Sequence, residues 1–300
     1  MSKRIDRVGG GIAAAGALLL GGPAVDAQLV LDDFTTGAFF DQQQYLSVDQ
    51  TWDAPAAVGG ERTVFSGYGG SLAVEPSGGG SLTFDHDRGV FEVIGLRYGG
   101  EANPLAADFT AAGERLLMRI DEAVPLGDHV HPPQLSMVFG SGAGGDAQST
   151  GFGAKLAWSD EPYYLSWLLD RASQPIDWSD VDSIALNVFL TGHSRVTIGE
   201  IVVAPAMPGD IDGDGAVGPG DFAEWRRFFG VEANVAADLN FDGVVDAADF
   251  TLWRDELAAA APAAIPEPAA AVLLGVLAAA VRRRWREARG PAGTPRHRCS

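Results

Sequence analysis

The sequence predicts a mainly β fold: an antiparallel β-sandwich of the jelly-roll type, followed by a small α-helical module built on a duplicated acidic loop. Two observations carry this prediction. Residues 28–206 are rich in glycine and contain short runs of β-branched and aromatic residues, nearly all bounded by turn-forming residues. An acidic segment then occurs twice between residues 210 and 250, and apolar residues with helical spacing follow each copy.

The composition argues against two classes of protein, nucleic-acid-binding proteins and small folds held together by disulfides. With 21 basic and 40 acidic residues, the 300-residue chain carries a formal net charge of −19 at pH 7. Such a surface repels polyanions over most of its area, so no nucleic-acid partner is expected. The single cysteine, Cys299, lies next to the C-terminus, and one cysteine cannot form an intrachain disulfide. Stability must therefore come from packing, with bound metal as a further source.

Residues 1–27 have the organisation of a secretory signal peptide. Basic residues, the last of them Arg7, precede a small and apolar run over residues 9–20. Small side chains then stand three residues and one residue before Gln28, as the signal peptidase requires. We predict cleavage between Ala27 and Gln28 and export of the remaining chain.

Residues 28–206 are predicted to form the sandwich. No segment longer than a turn has the 3.6-residue periodicity of a helix. The predicted strands are 29–34, 63–65, 71–74, 81–84, 91–98, 115–120, 134–139, 163–169, 183–190 and 195–203. So many short strands in about 180 residues favour a single antiparallel sandwich.

Both ends of this region resemble galactose-binding-like jelly rolls. The pattern lies in the opening segment, 30–34, and in the closing segments, 176–186 and 196–203. Such folds occur as carbohydrate-binding modules and as accessory domains of polysaccharide-degrading enzymes. The resemblance therefore implies a glycan-binding or adhesive role.

The same resemblance implies that the first and last strands are neighbours. Asp32 or Asp33 would then lie near Glu200. These carboxylates are either a structural calcium site or solvated groups at a sheet edge.

Three functions stay open for the sandwich. Glycan binding would use aromatic side chains, although most large aromatic residues of a sandwich belong to its core. The aromatic candidates are Trp52, Trp158, Tyr163, Tyr164, Trp167 and Trp178. A glycoside hydrolase or lyase would need a pair of carboxylates at a set separation, and the many acidic residues identify no pair. A structural component of an extracellular polymer matrix would need neither feature.

The acidic loop occurs twice at a constant offset. Each copy has oxygen-bearing side chains at loop positions 1, 3, 5 and 12 and a glycine at position 6, which is the spacing that Ca²⁺ requires. The backbone carbonyl of position 7 completes the pattern. The predicted ligands are Asp210, Asp212, Asp214, Ala216 and Asp221 in the first loop, and Asp238, Asn240, Asp242, Val244 and Asp249 in the second. The sequence thus predicts two Ca²⁺ sites.

A helix is predicted after each loop. Its apolar residues recur at spacings of three and four, so that each helix has one apolar face. These residues are Phe222, Trp225 and Phe229 after the first loop, and Phe250, Trp253 and Leu257 after the second. We expect the two faces to pack on each other.

The paired loops and helices, residues 210–257, resemble a type I dockerin. The resemblance implies a duplicated calcium-binding module that docks onto a cohesin domain. It also adds Asp246 at position 9 as a ligand, where the first loop has Gly218. We assign residues 207–258 to this module and 259–265 to a linker.

Partner recognition in that family rests largely on loop positions 10 and 11. These positions hold Pro219-Gly220 and Ala247-Ala248, in contrast to the hydroxyl-bearing pairs of many cellulosomal dockerins. A cohesin-like partner is therefore one hypothesis. The other is a module that only rigidifies this part of the chain.

The C-terminal region resembles a PEP-CTERM sorting signal, over residues 266–286. Its features are the motif Pro266, Glu267 and Pro268, an apolar stretch over 269–281, and the cluster Arg282, Arg283 and Arg284. The apolar stretch is shorter than a bilayer-spanning helix, which favours transient membrane insertion. The resemblance implies processing by an exosortase-type protease and delivery to the cell surface or its polymer matrix. The alternative is an ordinary short tail anchor. The basic tail, 287–300, is longer than such signals usually have.

Overall fold

The computed structural model describes residues 28–41, 48–66, 70–75, 79–86, 91–100, 103–128, 131–142 and 148–260. Residues 1–27 of the predicted signal peptide and the sorting signal at 266–286 lie outside the described residues. Within the described ranges, no helix combines the length and the apolar character needed to cross a membrane.

Thirteen strands and two α-helices make up the regular structure of the described residues. The strands are β1 Leu29–Asp32, β2 Phe39–Asp41, β3 Val48–Asp53, β4 Glu61–Ser66, β5 Gly70–Glu75, β6 Ser81–His86, β7 Phe91–Gly99, β8 Arg115–Pro125, β9 Gln134–Ser141, β10 Gln148–Lys155, β11 Tyr163–Leu168, β12 Val181–Thr191 and β13 Ser194–Ala204. The helices are α1 Pro219–Phe228 and α2 Ala247–Ala260. Helix α2 therefore continues two residues past the predicted module boundary at 258.

The strands form two antiparallel sheets. The first sheet has the order β11-β8-β13-β6-β5-β2, with β1 paired to β13, and the second has the order β10-β9-β12-β7-β4-β3. Consecutive strands such as β8 and β9, or β12 and β13, lie in different sheets, so the chain crosses between the layers repeatedly. This arrangement confirms the predicted antiparallel, jelly-roll-like sandwich.

The core lies between the two sheets and follows from alternation along the strands. In β9, Leu135, Met137 and Phe139 are buried while the residues between them are more exposed. Strands β8 and β13, in the middle of the first sheet, bury longer runs, as expected for central strands. The inward-facing side chains of both sheets join one hydrophobic cluster.

All ten predicted strand segments coincide with observed strands, and three observed strands were not predicted. Strand β10 contains Gly151 and Gly153, which weaken any apolar pattern in its sequence. It forms because it pairs with β9 over its whole length, from Gln148 opposite Ser141 to Lys155 opposite Gln134.

The expected neighbourhood of the first and last strands is confirmed, but it does not make a metal site of Asp32. Strand β1 pairs with β13. The fully buried Asp32 carboxylate accepts hydrogen bonds from Arg62 Nε at 2.8 Å, Arg62 Nη2 at 2.7 Å and the Tyr98 hydroxyl at 2.8 Å. Glu200 instead accepts from Arg119 and from Tyr164. Asp32 is thus the acceptor of a buried hydrogen-bond network.

Candidate functional site

The first acidic loop closes around its last residue, Asp221. The Oδ1 atom of Asp221 accepts from the amides of Ile211 at 2.6 Å and Asp212 at 3.1 Å, and Oδ2 accepts from Gly218 N at 2.6 Å. Asp221 also occupies the third position of α1, so its carboxylate caps the N-terminus of that helix. One buried side chain therefore fixes both ends of the loop.

The second loop repeats this geometry at the same offset. Asp249 accepts from Leu239 N at 2.8 Å and Asn240 N at 3.1 Å through Oδ1, and from Asp246 N at 2.7 Å through Oδ2. Asp246 in turn caps α2, because its Oδ1 accepts from Ala248 N at 2.7 Å. The two loops that repeat in the sequence therefore also share one pattern of hydrogen bonds.

Glycine at position 6 is required in both loops. Gly215 has φ +85° and Gly243 has φ +89°, in the left-handed region that glycine adopts without steric cost. In the first loop, the carboxylates of positions 1, 3 and 5 cluster around this turn. Carboxylate oxygens of Asp210, Asp212 and Asp214 lie within 4.8 Å of one another.

The first ligand position differs between the loops. Asp238 is held by its own loop, accepting from Asp242 N at 3.1 Å and Gly243 N at 2.9 Å. Asp210 is equally buried, yet its Oδ1 atom has no hydrogen-bond partner. A buried carboxylate oxygen without a donor is costly, and a cation at the centre of the loop would satisfy it.

The electrostatics of both loops favour a cation. Burial raises the pKa of Asp210 to about 6, against the opposing effect of Arg115, and the neighbouring carboxylates Asp221 and Asp212 raise it further. Burial also raises the pKa of Asp238 to about 6, with Asp249 contributing. Hard oxygen donors in this number and spacing fit Ca²⁺. The residues predicted from the sequence therefore fit the ion.

The two helices pack through their aromatic residues, as predicted. The Phe222 and Trp253 rings lie 5.4 Å apart, and the Trp225 and Phe250 rings lie 5.1 Å apart. Trp225 Nε1 also donates to the carbonyl of Asp246 at 3.1 Å, which ties α1 to the second loop. Phe229 was assigned to the same face but is 55% exposed, because α1 ends one residue before it.

The module lies directly against the sandwich, and Arg115 of β8 is its central polar contact. This buried guanidinium donates to Ser166 Oγ at 2.8 Å, to the Met207 carbonyl at 3.0 Å and to the Asp210 carbonyl at 2.6 Å. Its Nη1 atom also lies 3.6 Å from Asp210 Oδ2. The sandwich thus holds the residue that begins the first acidic loop.

Edge strand β11 and the segment before it also contact the module. Ala236 N donates to the Tyr164 carbonyl at 2.7 Å, and the Tyr163 and Phe228 rings meet edge to face at 5.4 Å. Arg227 of α1 reaches across to the segment before β11, donating to Ser159 Oγ at 2.7 Å. The module therefore covers one edge of the first sheet.

Two of the six aromatic candidates for glycan contact are buried core residues, and the other four are half-buried. Tyr163 and Trp167 are buried, and Trp178 stacks on Phe109 and Phe152. Trp52, Trp158 and Tyr164 are half-buried and pack against the core. The expectation that large aromatic residues of a sandwich belong to its core thus holds for Tyr163 and Trp167, while the other four candidates keep part of their surface exposed.

Two residues at the junction were missed from the sequence. Arg115 begins an apolar strand, and a single charged residue there carries no sign of a partner almost one hundred residues away. Phe241 was detectable, because it stands at loop position 4 where the first copy has Gly213. Both positions have positive φ, +60° for Phe241 and +73° for Gly213.

Comparison with known families identifies the helical part of the chain. Residues 208–257 match the model of the Dockerin type I domain. This range contains both acidic loops and nearly all of both helices, so the similarity inferred from the sequence is confirmed for this part. No curated protein matches the chain.

Solved structures with a similar fold include carbohydrate-binding modules from Clostridium thermocellum. A family 11 module in complex with a β-1,3-1,4-mixed-linked tetrasaccharide is 10% identical, with a TM-score of 0.36, covering 61% of this chain and 98% of that one. A family 30 module of a cellulosomal cellulase is 11% identical, with a TM-score of 0.35, covering 54% and 95%. At these scores and identities the likeness assigns no ligand to this chain.

Proposed function

We propose that this chain is an exported protein whose C-terminal module binds two Ca²⁺ ions and docks onto a cohesin-like protein, while its β-sandwich binds a polysaccharide. The observation that carries the proposal is the doubled loop. Asp221 and Asp249 make the same three hydrogen bonds in their respective loops, and each loop has a buried carboxylate at position 1.

The proposed calcium ligands are the loop positions predicted from the sequence, and the clustering of Asp210, Asp212 and Asp214 supports the first three of them. Asp210, Asp212, Asp214, the Ala216 carbonyl and Asp221 serve the first site, and Asp238, Asn240, Asp242, the Val244 carbonyl, Asp246 and Asp249 serve the second. Ca²⁺ would supply the positive charge that these clustered carboxylates need, and it would order the loops from which the helices start. Gly218 offers no side-chain oxygen where the second loop has Asp246, which favours a weaker first site.

The polysaccharide role of the sandwich rests on its sequence resemblance to galactose-binding-like jelly rolls. The proposed export and surface location rest on the signal peptide at 1–27 and the sorting signal at 266–286. In this proposal, the module presents the sandwich at the cell surface or in its polymer matrix. The domain boundaries, 28–206 and 207–258, belong to the same proposal.

Two binding measurements on the purified chain test the two halves separately. For the sandwich, insoluble polysaccharides are incubated with the chain in calcium, and selective depletion by one polymer is expected. For the module, immobilised type I cohesin domains should retain the chain in calcium and release it in chelator. Depletion by no polymer would contradict the polysaccharide role, and equal retention in calcium and chelator would contradict calcium-dependent docking.

A further inference from the structure

A cleft lies where the second calcium loop meets the edge of the sandwich. It consists of two adjoining cavities, of about 230 Å³ and about 320 Å³. Both are lined by Ser166, Leu168, Arg171 and Phe241, so these four residues form the wall that the two cavities share. Small-molecule sites in proteins have volumes of roughly 300–1,000 Å³ and favour domain junctions. The cleft therefore has the size and the place of a ligand site.

Phe241 enters the cleft from an unfavourable backbone conformation. Its φ of +60° lies in the left-handed region, which bulky residues rarely adopt. The equivalent residue of the first loop is Gly213, where a Cβ atom would lie 2.9 Å from the Tyr164 ring. In the second loop this position instead holds an aromatic ring, and the ring lines both cavities. Such strained residues are typical of functional sites.

The side chain of Arg171 packs over the ring of Phe241, which orients its guanidinium group. Its guanidinium carbon lies 5.1 Å from the centroid of Phe241. The side chain is otherwise exposed and lines both cavities, so its N–H donors are available at the cleft. The sandwich thus contributes the arginine, and the module contributes the ring that orients it.

The remaining lining narrows the class of ligand. The wall formed by Phe152, Trp167 and Leu168 is apolar, whereas Ser173 and Asn234 add polar groups beside it. Arg115 is bonded to Ser166 and Asp210, and Asp238 is a proposed calcium ligand, so Arg171 and Glu256 are the charged lining groups left for a ligand, one of each sign. A ligand with apolar faces, many hydroxyl groups and no net charge fits such a surface. A neutral oligosaccharide has these properties.

We infer that this cleft binds a neutral oligosaccharide, with Phe241 as its apolar wall and Arg171 as a hydrogen-bond donor. The inference rests on the proposed polysaccharide role of the sandwich and places the contact at the junction with the module. It explains why loop position 4 retains phenylalanine where glycine would relieve the backbone.

The test uses the full chain in calcium and soluble neutral tetrasaccharides of glucose, xylose, mannose and galactose as calorimetric probes. Phe241→Gly is expected to lower the affinity at least tenfold while leaving the melting temperature equal or higher, because glycine accepts the positive φ. Arg171→Gln is expected to lower the affinity about fivefold. Matched controls are Phe229→Ala, an exposed aromatic residue of the same module, and Arg195→Gln, an arginine paired with Asp85 in the sandwich. Both should bind as the wild type does.

The outcomes separate this inference from the proposed function. If the wild type and Phe241→Gly bind an oligosaccharide equally well, the cleft is not the site, although a polysaccharide role of the sandwich stands. If the wild type binds no probe and is depleted by no polymer, both proposals are wrong. If Phe241→Gly lowers both the affinity and the melting temperature, Arg171→Gln decides whether the cleft is the site. A lower affinity of Arg171→Gln at an unchanged melting temperature supports the cleft, and an unchanged affinity contradicts it.

Discussion

Replacing Arg115 by methionine should loosen the junction between the sandwich and the calcium module. Methionine keeps much of the buried aliphatic volume but removes three hydrogen bonds, to Ser166, to the Met207 carbonyl and to the Asp210 carbonyl. Ser166 Oγ and the Asp210 carbonyl lose these donors, whereas the Met207 carbonyl keeps its hydrogen bond from Asp210 N, and the Asp210 carboxylate loses the guanidinium 3.6 Å away.

The expected cost follows from these contacts. Removing one partner of a buried charged pair typically costs about 3–5 kcal/mol. For a chain of this size, each kcal/mol lowers the melting temperature by roughly 2–4 °C, so a decrease of about 6–20 °C is expected. The assay is differential scanning calorimetry of the full chain in calcium. A second expected sign is a separate, earlier transition for the module once the junction is weakened.

Arg195→Met is the matched control. Arg195 also pairs with an aspartate, Asp85 at 2.7 Å, but its side chain is 39% exposed and does not touch the module. Such a half-exposed pair contributes about 1 kcal/mol or less. If Arg115→Met and Arg195→Met melt alike in a single transition, the guanidinium of Arg115 does not hold the junction, and this reasoning is wrong.

Three further predictions concern the buried acids. Asp32→Ala should cost about 3–5 kcal/mol in denaturant unfolding, because Arg62 is left buried without its partner; a cost below 1 kcal/mol would contradict the buried network. In chelator, the raised pKa values of Asp210 and Asp238, about 6, give stability that is fully present below about pH 4 and lost as pH rises through 6. The double variant Asp210→Asn/Asp238→Asn should therefore show a flatter dependence of stability on pH between 4 and 7. The same pH dependence in the variant and the wild type would refute this. Calcium at a thousandfold excess over the dissociation constant should add about 4 kcal/mol per site; Asp249→Ala should lose one such increment, and an unchanged calcium response would argue against the second site.

The fold was predictable because turn residues interrupt the sandwich sequence at short intervals. Strands such as β8 and β13 have β-branched and aliphatic runs, bounded by Gly, Pro or Asp. Strand β10 was missed because two of its outward-facing positions, Gly151 and Gly153, are glycine. Its formation depends on pairing with β9. Pairing between distant segments is a tertiary property that a local pattern does not contain.

The paired acidic loops were predictable because the residues that close each loop lie within twelve positions of one another, while the Ca²⁺ ligands themselves stay a prediction. Spacing within twelve residues fixes the chemistry, and the repeat confirms the register. The junction was not predictable, because Arg115 and the Asp210 carbonyl it binds are 95 residues apart in the sequence. Phe241 was predictable only in part. The repeat shows that it replaces the glycine found at Gly213, but the cleft that it lines exists only in the folded chain.

Calcium stoichiometry tests the central claim most directly. Isothermal titration of the calcium-depleted full chain should show two bound Ca²⁺ ions, and native mass spectrometry should show the same count. Asp221→Ala and Asp249→Ala should each reduce it to one, because each removes the carboxylate that closes one loop. Binding of no calcium, or a count unchanged in both variants, would contradict the account of residues 208–257 as a paired calcium-loop module.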